Sequence, residues 1–215
     1  MSETDSFIEE VTEEVRRERL FHLMKKYGWI AVLAILGIVG GSAWNEYQKA
    51  EKDAAAQAFG DQVLASIGSE DRLAALEAIT AQGAPRAALR AMLIAGEAQS
   101  SGNTGVALAE LAKVAGDSTL PVSLRDLAKL KTVMIGADTL EPAARDQMLA
   151  ELSVAGAPYR GLAMEQQALI LVNAGDIEAA VIVLRQILAE AGATPALQRR
   201  ATELMVALGA DPAAE

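Results

Sequence analysis

No cysteine occurs in the 215-residue chain, and His22 is its single histidine. A disulfide framework and thiolate-bound zinc or iron–sulfur centres are excluded, because no thiol exists, and one imidazole cannot build a histidine ligand set. Aromatic residues make up only 4% of the chain. Beyond the N-terminal region only Tyr47, Phe59 and Tyr159 remain, too few for a base-stacking or sugar-binding platform. Positive charge is also in deficit: 19 Lys and Arg stand against 29 Asp and Glu, a formal net charge of −10 that repels a phosphate backbone and argues against nucleic acid as a partner. No glycine-rich phosphate loop, GxSxG elbow or HExxH pair is present. What the chain has in abundance is apolar residues, 52% of the total, which is too many for a disordered polymer.

The longest uncharged run is YGWIAVLAILGIVGGSAWN, nineteen residues from Tyr27 to Asn45, bracketed by Lys25-Lys26 and Glu46. As a helix it reaches roughly 28 Å, close to the ~30 Å hydrocarbon thickness of a bilayer. Ile30, Val32, Leu33, Ile35, Leu36, Ile38 and Val39 favour insertion, and no ionised group opposes them. Trp29 and Trp44 stand near the two ends as interface anchors, with Tyr27 and Tyr47 just outside them. Arg16, Arg17, Arg19, Lys25 and Lys26 precede the run, against Lys49 and Lys52 after it. The expected orientation is a cytoplasmic N-terminus and an external C-terminal part. A signal peptide cleaved after Ala43 is the competing reading, opposed by the long polar leader and by Trp44 next to the cut. Gly37, Gly40 and Gly41 include a GxxxG spacing that would let a second transmembrane helix, including one from a second copy, approach closely.

Residues 1–26 form the expected cytoplasmic leader. Phe7, Ile8, Val11 and Val15 lie on one face of an amphipathic helix with acidic residues early and basic residues late, and Ser6 with Glu9 fits a capping box. Such a helix suits docking to a partner or to the inner leaflet; a solvated stub that only sets topology accounts for the pattern equally well. The Glu9-Glu10 and Glu13-Glu14 pairs read as solvating charge.

Residues 46–215 are Ala-, Leu- and Glu-rich, without strand-like alternation. Pro85, Pro121, Pro158 and Pro195 recur at intervals of 36, 37 and 37 residues, each at the head of an apolar-periodic segment, as an N1 proline would be. A turn signal follows each of the first three by seventeen residues, at Gly102-Asn103, Asp138 and Gly175-Asp176. Two helices per period follow. Aligning the first and third units sets Gly102 over Gly175 and Ala107 over Ala180, small residues that let paired helices approach, with Leu108, Leu111, Ile182, Leu184 and Ile187 expected to fill the space between them. The middle unit is more degenerate, with Pro142 just inside its second helix. An earlier, less regular hairpin is expected from Glu46 to Gly83 with a break near Gly68-Ser69, and a closing helix from Pro195 to Leu208. An ordinary helical bundle with prolines in register by accident is the alternative.

This pattern resembles the tetratricopeptide repeat, hairpins of about 34 residues whose second helix opens on a Gly-Asp-type turn and a small residue. The expected fold is all-α: one N-terminal transmembrane helix followed by a tetratricopeptide-like α-hairpin solenoid. Charged residues such as Glu165 and Asp176 then belong to a solvated face rather than to a catalytic pair, and no enzyme activity, metal or cofactor is expected.

From Tyr27 onward the chain also resembles the YfgM-like family of ancillary subunits of the Sec translocon. The resemblance is carried by the glycine-rich span ending in tryptophan (Gly37, Gly40, Trp44), by the degenerate hairpins, and by TPALQ (Thr194 to Gln198) before an amphipathic helix. The leader is reminiscent of alphaproteobacterial members. The resemblance implies a bacterial inner-membrane protein with a periplasmic repeat domain that associates with the SecYEG channel and with a membrane-anchored prolyl isomerase-type chaperone, and handles newly translocated proteins. It brings no catalytic residues. The alternative is a scaffold or assembly factor of another inner-membrane or cell-envelope complex on the same fold.

Overall fold

The computed structural model describes residues 3–137 and 139–212, and every regular element among them is an α-helix. In chain order these are α1 (Glu3–Ile67), α2 (Arg72–Glu77), α3 (Ala84–Ser100), α4 (Thr104–Gly116), α5 (Val122–Ile135), α6 (Pro142–Leu152), α7 (Arg160–Asn173), α8 (Ile177–Ala189) and α9 (Pro195–Ala207). The chain divides into two compact units, one up to Ala58 and one from Phe59 onward.

The first unit consists of α1 alone. Leader and apolar run, expected as separate elements, belong to one unbroken 65-residue helix, because no proline occurs before Pro85 to interrupt it. Ser6 and Glu9, the expected capping box, fall within the helix, and their side chains lie outside the described residues. The side chains of Phe7, Ile8, Val11, Val15, His22 and Val32 lie outside the described residues, as does Asp138. From Ile30 to Val39 the large apolar side chains that are described are all exposed.

In the second unit α1 ends at Ile67, at the expected break, where Gly68 and Ser69 form a turn. Phe59 and Val63 on its last turns pack against Leu76 and Ile79 at α2 and Ile94 of α3. Thereafter α3 packs most closely on α4, and α7 on α8. The prolines keep their period but hold different posts: Pro85 and Pro195 lie in the first turns of α3 and α9, Pro121 caps α5, and Pro158 precedes α7 by two residues. The successive first helices α3, α5, α7 and α9 touch one another in turn, whereas α4, α6 and α8 make no comparable contact among themselves. That is the layering of a solenoid.

On top of the hairpin period, the buried residues repeat at about twice that interval. Ala95, Ala107 and Ala128, one each on α3, α4 and α5, are fully buried. So are Ala168, Ala180 and Ala201 on α7, α8 and α9, each 73 residues after its counterpart. Buried Leu111 and Val114 correspond in the same way to Leu184 and Ile187, and Leu76 and Ile79 of the first module to Leu149 and Leu152 of the second. Ala95, Ala107 and Ala128 share one buried cluster and Ala168 and Ala201 another; such small residues let helix backbones approach, and the larger residues beside them close two separate cores. The short helices α2 and α6 are equivalents too: the Arg90 Nη1 donates to the Ile79 carbonyl at 2.7 Å, and the Arg160 Nε to the Ser153 carbonyl at 3.0 Å, each tying off a short helix from the one that follows.

In the middle unit Pro142 opens the second helix, α6, and Ala143, which lies 22 residues after Pro121 as Ala107 lies after Pro85, is exposed. Helix α6 docks through Leu149 and Leu152 onto Leu130, Val133 and Ala163. One expectation is corrected here. Ile182 does not fill a core but is 53% exposed, while its neighbours Leu184 and Ile187 are fully buried. On α9 the positions matching Leu130 and Val133 are Glu203 and an exposed Val206, so that face offers no equivalent seat for a further helix.

Candidate interaction surface

Each module turns on a glycine. Gly102 and Gly175 adopt φ of +75° and +80°, and the next N–H bonds back into the preceding helix, Asn103 to the Ala98 carbonyl at 2.7 Å and Asp176 to the Leu171 carbonyl at 2.9 Å. This closure satisfies the last carbonyls of α3 and α7 and reverses the chain into α4 and α8. Other side chains of the first helices stay open to water. Leu89 on α3 and Leu162 on α7 occupy equivalent positions and are 47% and 37% exposed. Leu93 and Leu169 extend the two patches.

A cleft of about 280 Å³ opens between the last turns of α1, α2 and α3, walled by Val63, Ile67, Leu76, Met92, Leu93 and Gly96. A second recess, of about 410 Å³, lies where the α6–α7 and α8–α9 loops meet beside Tyr159; the Arg160–Glu190 ion pair lies within its wall. Gly161 belongs to this recess and lets α7 meet α9, since a Cβ there would come 2.6 Å from Leu197 Cδ2.

Several charged groups have structural partners. Arg200 reaches Glu165 through two hydrogen bonds of 2.6 Å, which raises the guanidinium pKa further. Asp176 caps α8, accepting from the Ala179 N–H at 3.2 Å, so both members of the Glu165/Asp176 pair have structural partners, and different ones. The Thr119 hydroxyl and N–H hold the Asp117 carboxyl below its ordinary value. Glu151 is lowered by Lys129 at 2.6 Å and by Gln147. Among the described residues no group of three His, Cys, Asp or Glu side chains could hold a metal.

In the first unit, Cβ atoms built at Gly37, Gly40 or Gly41 would meet nothing within 4 Å. Trp29 and Trp44 are exposed. The Trp29 Nε1 donates to the Lys26 carbonyl at 3.1 Å, and the Trp44 and Tyr47 rings lie 6.5 Å apart. Within Met24–Ile67 the helix is long and apolar enough to cross a membrane, and none of its apolar window is buried.

Residues 24–204 match the family model for the tetratricopeptide repeat-like domain. The chain belongs to this family. The match takes in both modules and the apolar part of α1, so the hairpins and the unburied helix fall within one tetratricopeptide repeat-like unit of sequence. No curated protein and no solved structure matches the chain. A tetratricopeptide repeat-like domain suggests a protein-interaction scaffold, and the exposed leucines of α3 and α7 are among the apolar side chains this chain leaves open to water. The cleft at Gly96 was not identified from sequence; its only signal there is a glycine in mid-helix, 73 residues before Leu169.

Proposed function

We propose that this is a single-pass inner-membrane protein of bacteria, with residues 1–26 in the cytoplasm, 27–45 in the bilayer and 46–215 in the periplasm, and that it serves the Sec translocon as an ancillary subunit. It brings a membrane-anchored prolyl isomerase-type chaperone and newly translocated chains together at the channel. The observation that carries this is the apolar segment of α1: Ile30, Leu33, Ile35, Leu36, Ile38 and Val39 are exposed at the head of a tetratricopeptide repeat-like chain, and water is a poor solvent for such a helix. The excess of Lys and Arg before the segment supports the orientation. Tethering raises the effective concentration of a partner to about the millimolar range, so individual contacts of the repeat surface can be weak and still act.

Photo-crosslinkers placed singly between Trp44 and Ala58 in living cells test this. Recovery of channel subunits or of a periplasmic prolyl isomerase-type chaperone is expected. Recovery of subunits of a different envelope assembly would transfer the scaffold to that complex, and recovery of cytoplasmic proteins would overturn the orientation.

A further inference from the structure

Gly96 lies in the interior of α3 with an ordinary helical backbone, and a Cβ built on it would touch nothing within 4 Å. Glycine there costs about 1 kcal/mol of helix stability relative to alanine, and nothing within the chain crowds the site to require it. The 73-residue correspondence supplies a comparison. The equivalent position in the second module is Leu169, and position Val63 corresponds to Gly136, onto which Leu140 packs so closely that a Cβ would come 2.8 Å from Leu140 Cγ. The second module thus carries a leucine where the first has only Gly96, while its Gly136–Leu140 contact is matched in the first by Val63 and Ile67.

We infer that the cleft between α1, α2 and α3 is a docking site for an amphipathic helix of a partner protein, which seats a leucine- or methionine-sized side chain over Gly96. The walls are mostly apolar, and part of them is left open to water: Ile67 is 56% exposed, and Leu93 is exposed too. The volume of about 280 Å³ lies just under the roughly 300–1,000 Å³ usual for small-molecule sites, which fits a side chain presented by a helix. Two charges belong to its lining, Arg72 on α2 and Glu97 on α3, and neither forms an ion pair among the described residues. Charge complementarity therefore selects an occupant with a basic residue on the α3 side of its anchor and an acidic residue on the α2 side. The recess beside Tyr159 lacks this combination, since its arginine and glutamate are already paired with each other. The inference does not depend on the compartment or on the translocon.

The test uses the full chain in lipid nanodiscs and a fluorescent 18-residue alanine-based helical peptide bearing leucines at i and i+4, with a lysine on one flank and a glutamate on the other. Fluorescence anisotropy is expected to show saturable binding that weakens about tenfold or more in Gly96→Leu, where the new side chain occupies the seat. A peptide with both leucines replaced by aspartate should not bind. Thermal unfolding monitored by circular dichroism should show Gly96→Leu melting no lower than the parent chain. If it melts lower, the charge swap decides instead: Glu97→Arg should reject the lysine-flanked peptide and accept one carrying glutamate at that flank. Equal affinity for the parent and Gly96→Leu, a swap without effect, or no binding at all would overturn the assignment. So would self-association of the parent chain that Gly96→Leu abolishes, because the seat would then belong to a second copy.

Discussion

Asp176 and Asn103 hold the same post in the two modules but not the same bond. The Asp176 carboxylate accepts from the Ala179 N–H and lies at the positive end of α8, whereas Asn103 heads α4 without a side-chain cap bond. Asp176→Ala is therefore expected to cost about 1 kcal/mol, and Asn103→Ala only a few tenths, in urea unfolding followed by circular dichroism. Equal losses would mean that the turn, not the cap, sets the price at both places. The turn itself needs its glycine, since Gly102 and Gly175 are at positive φ, where a Cβ is strained. These glycines and the buried Ala107 and Ala180 were legible in the sequence because the turn and the close contact each demand one residue type. Gly96 was not, because nothing in a lone mid-helix glycine tells which way the helix faces.

At the scale of the element, α6 is the weak member of the array. It lacks the buried small residue of α4 and α8, and its seat is Leu149 and Leu152 plus a Lys129–Glu151 ion pair across to α5. Proline spacing and turn residues therefore left the docking of α6 open: the spacing marks where a helix begins, whereas the docking depends on which face is apolar. The single helix α1 was hidden for a related reason. Leader, span and alanine-rich exit differ in composition, and composition changes need no break in the backbone. The ion pair has a pH signature. Lys129 and Gln147 favour the ionised carboxylate, so the folded pKa of Glu151 lies below its ordinary 4.5. The contribution is complete above that value and is lost as pH falls through the lower folded value. NMR titration should find Glu151 below 4.5, and Lys129→Ala should move it back up. The accompanying stability change should be small, because the pair is partly exposed. An unmoved pKa in Lys129→Ala would remove the ion pair from the account of α6.

The molecule as a whole joins a helix whose described side chains form no buried cluster before Phe59 to an array with four, and the absence of cysteine makes this arrangement directly measurable. A single introduced thiol has no native competitor. Thr4→Cys and Ala58→Cys lie on either side of the apolar segment, so a membrane-impermeant maleimide added to cells with a permeabilised outer membrane should label Ala58→Cys and leave Thr4→Cys untouched until the inner membrane is opened. Labelling of both in intact cells, or of neither, would rule out one crossing in the proposed direction. The crossing also has an energetic test. Leu33 and Leu36 lie near the middle of the segment and are exposed. Leucine there favours insertion by roughly 0.3 to 0.6 kcal/mol and arginine opposes it by roughly 2.5 to 3.5, so each Leu→Arg change disfavours the span by about 3 kcal/mol. The double variant Leu33→Arg/Leu36→Arg should therefore pass from the membrane pellet to the supernatant on alkaline carbonate extraction, while the parent chain stays in the pellet. Retention of the double variant would mean that this segment is not what holds the chain to the bilayer.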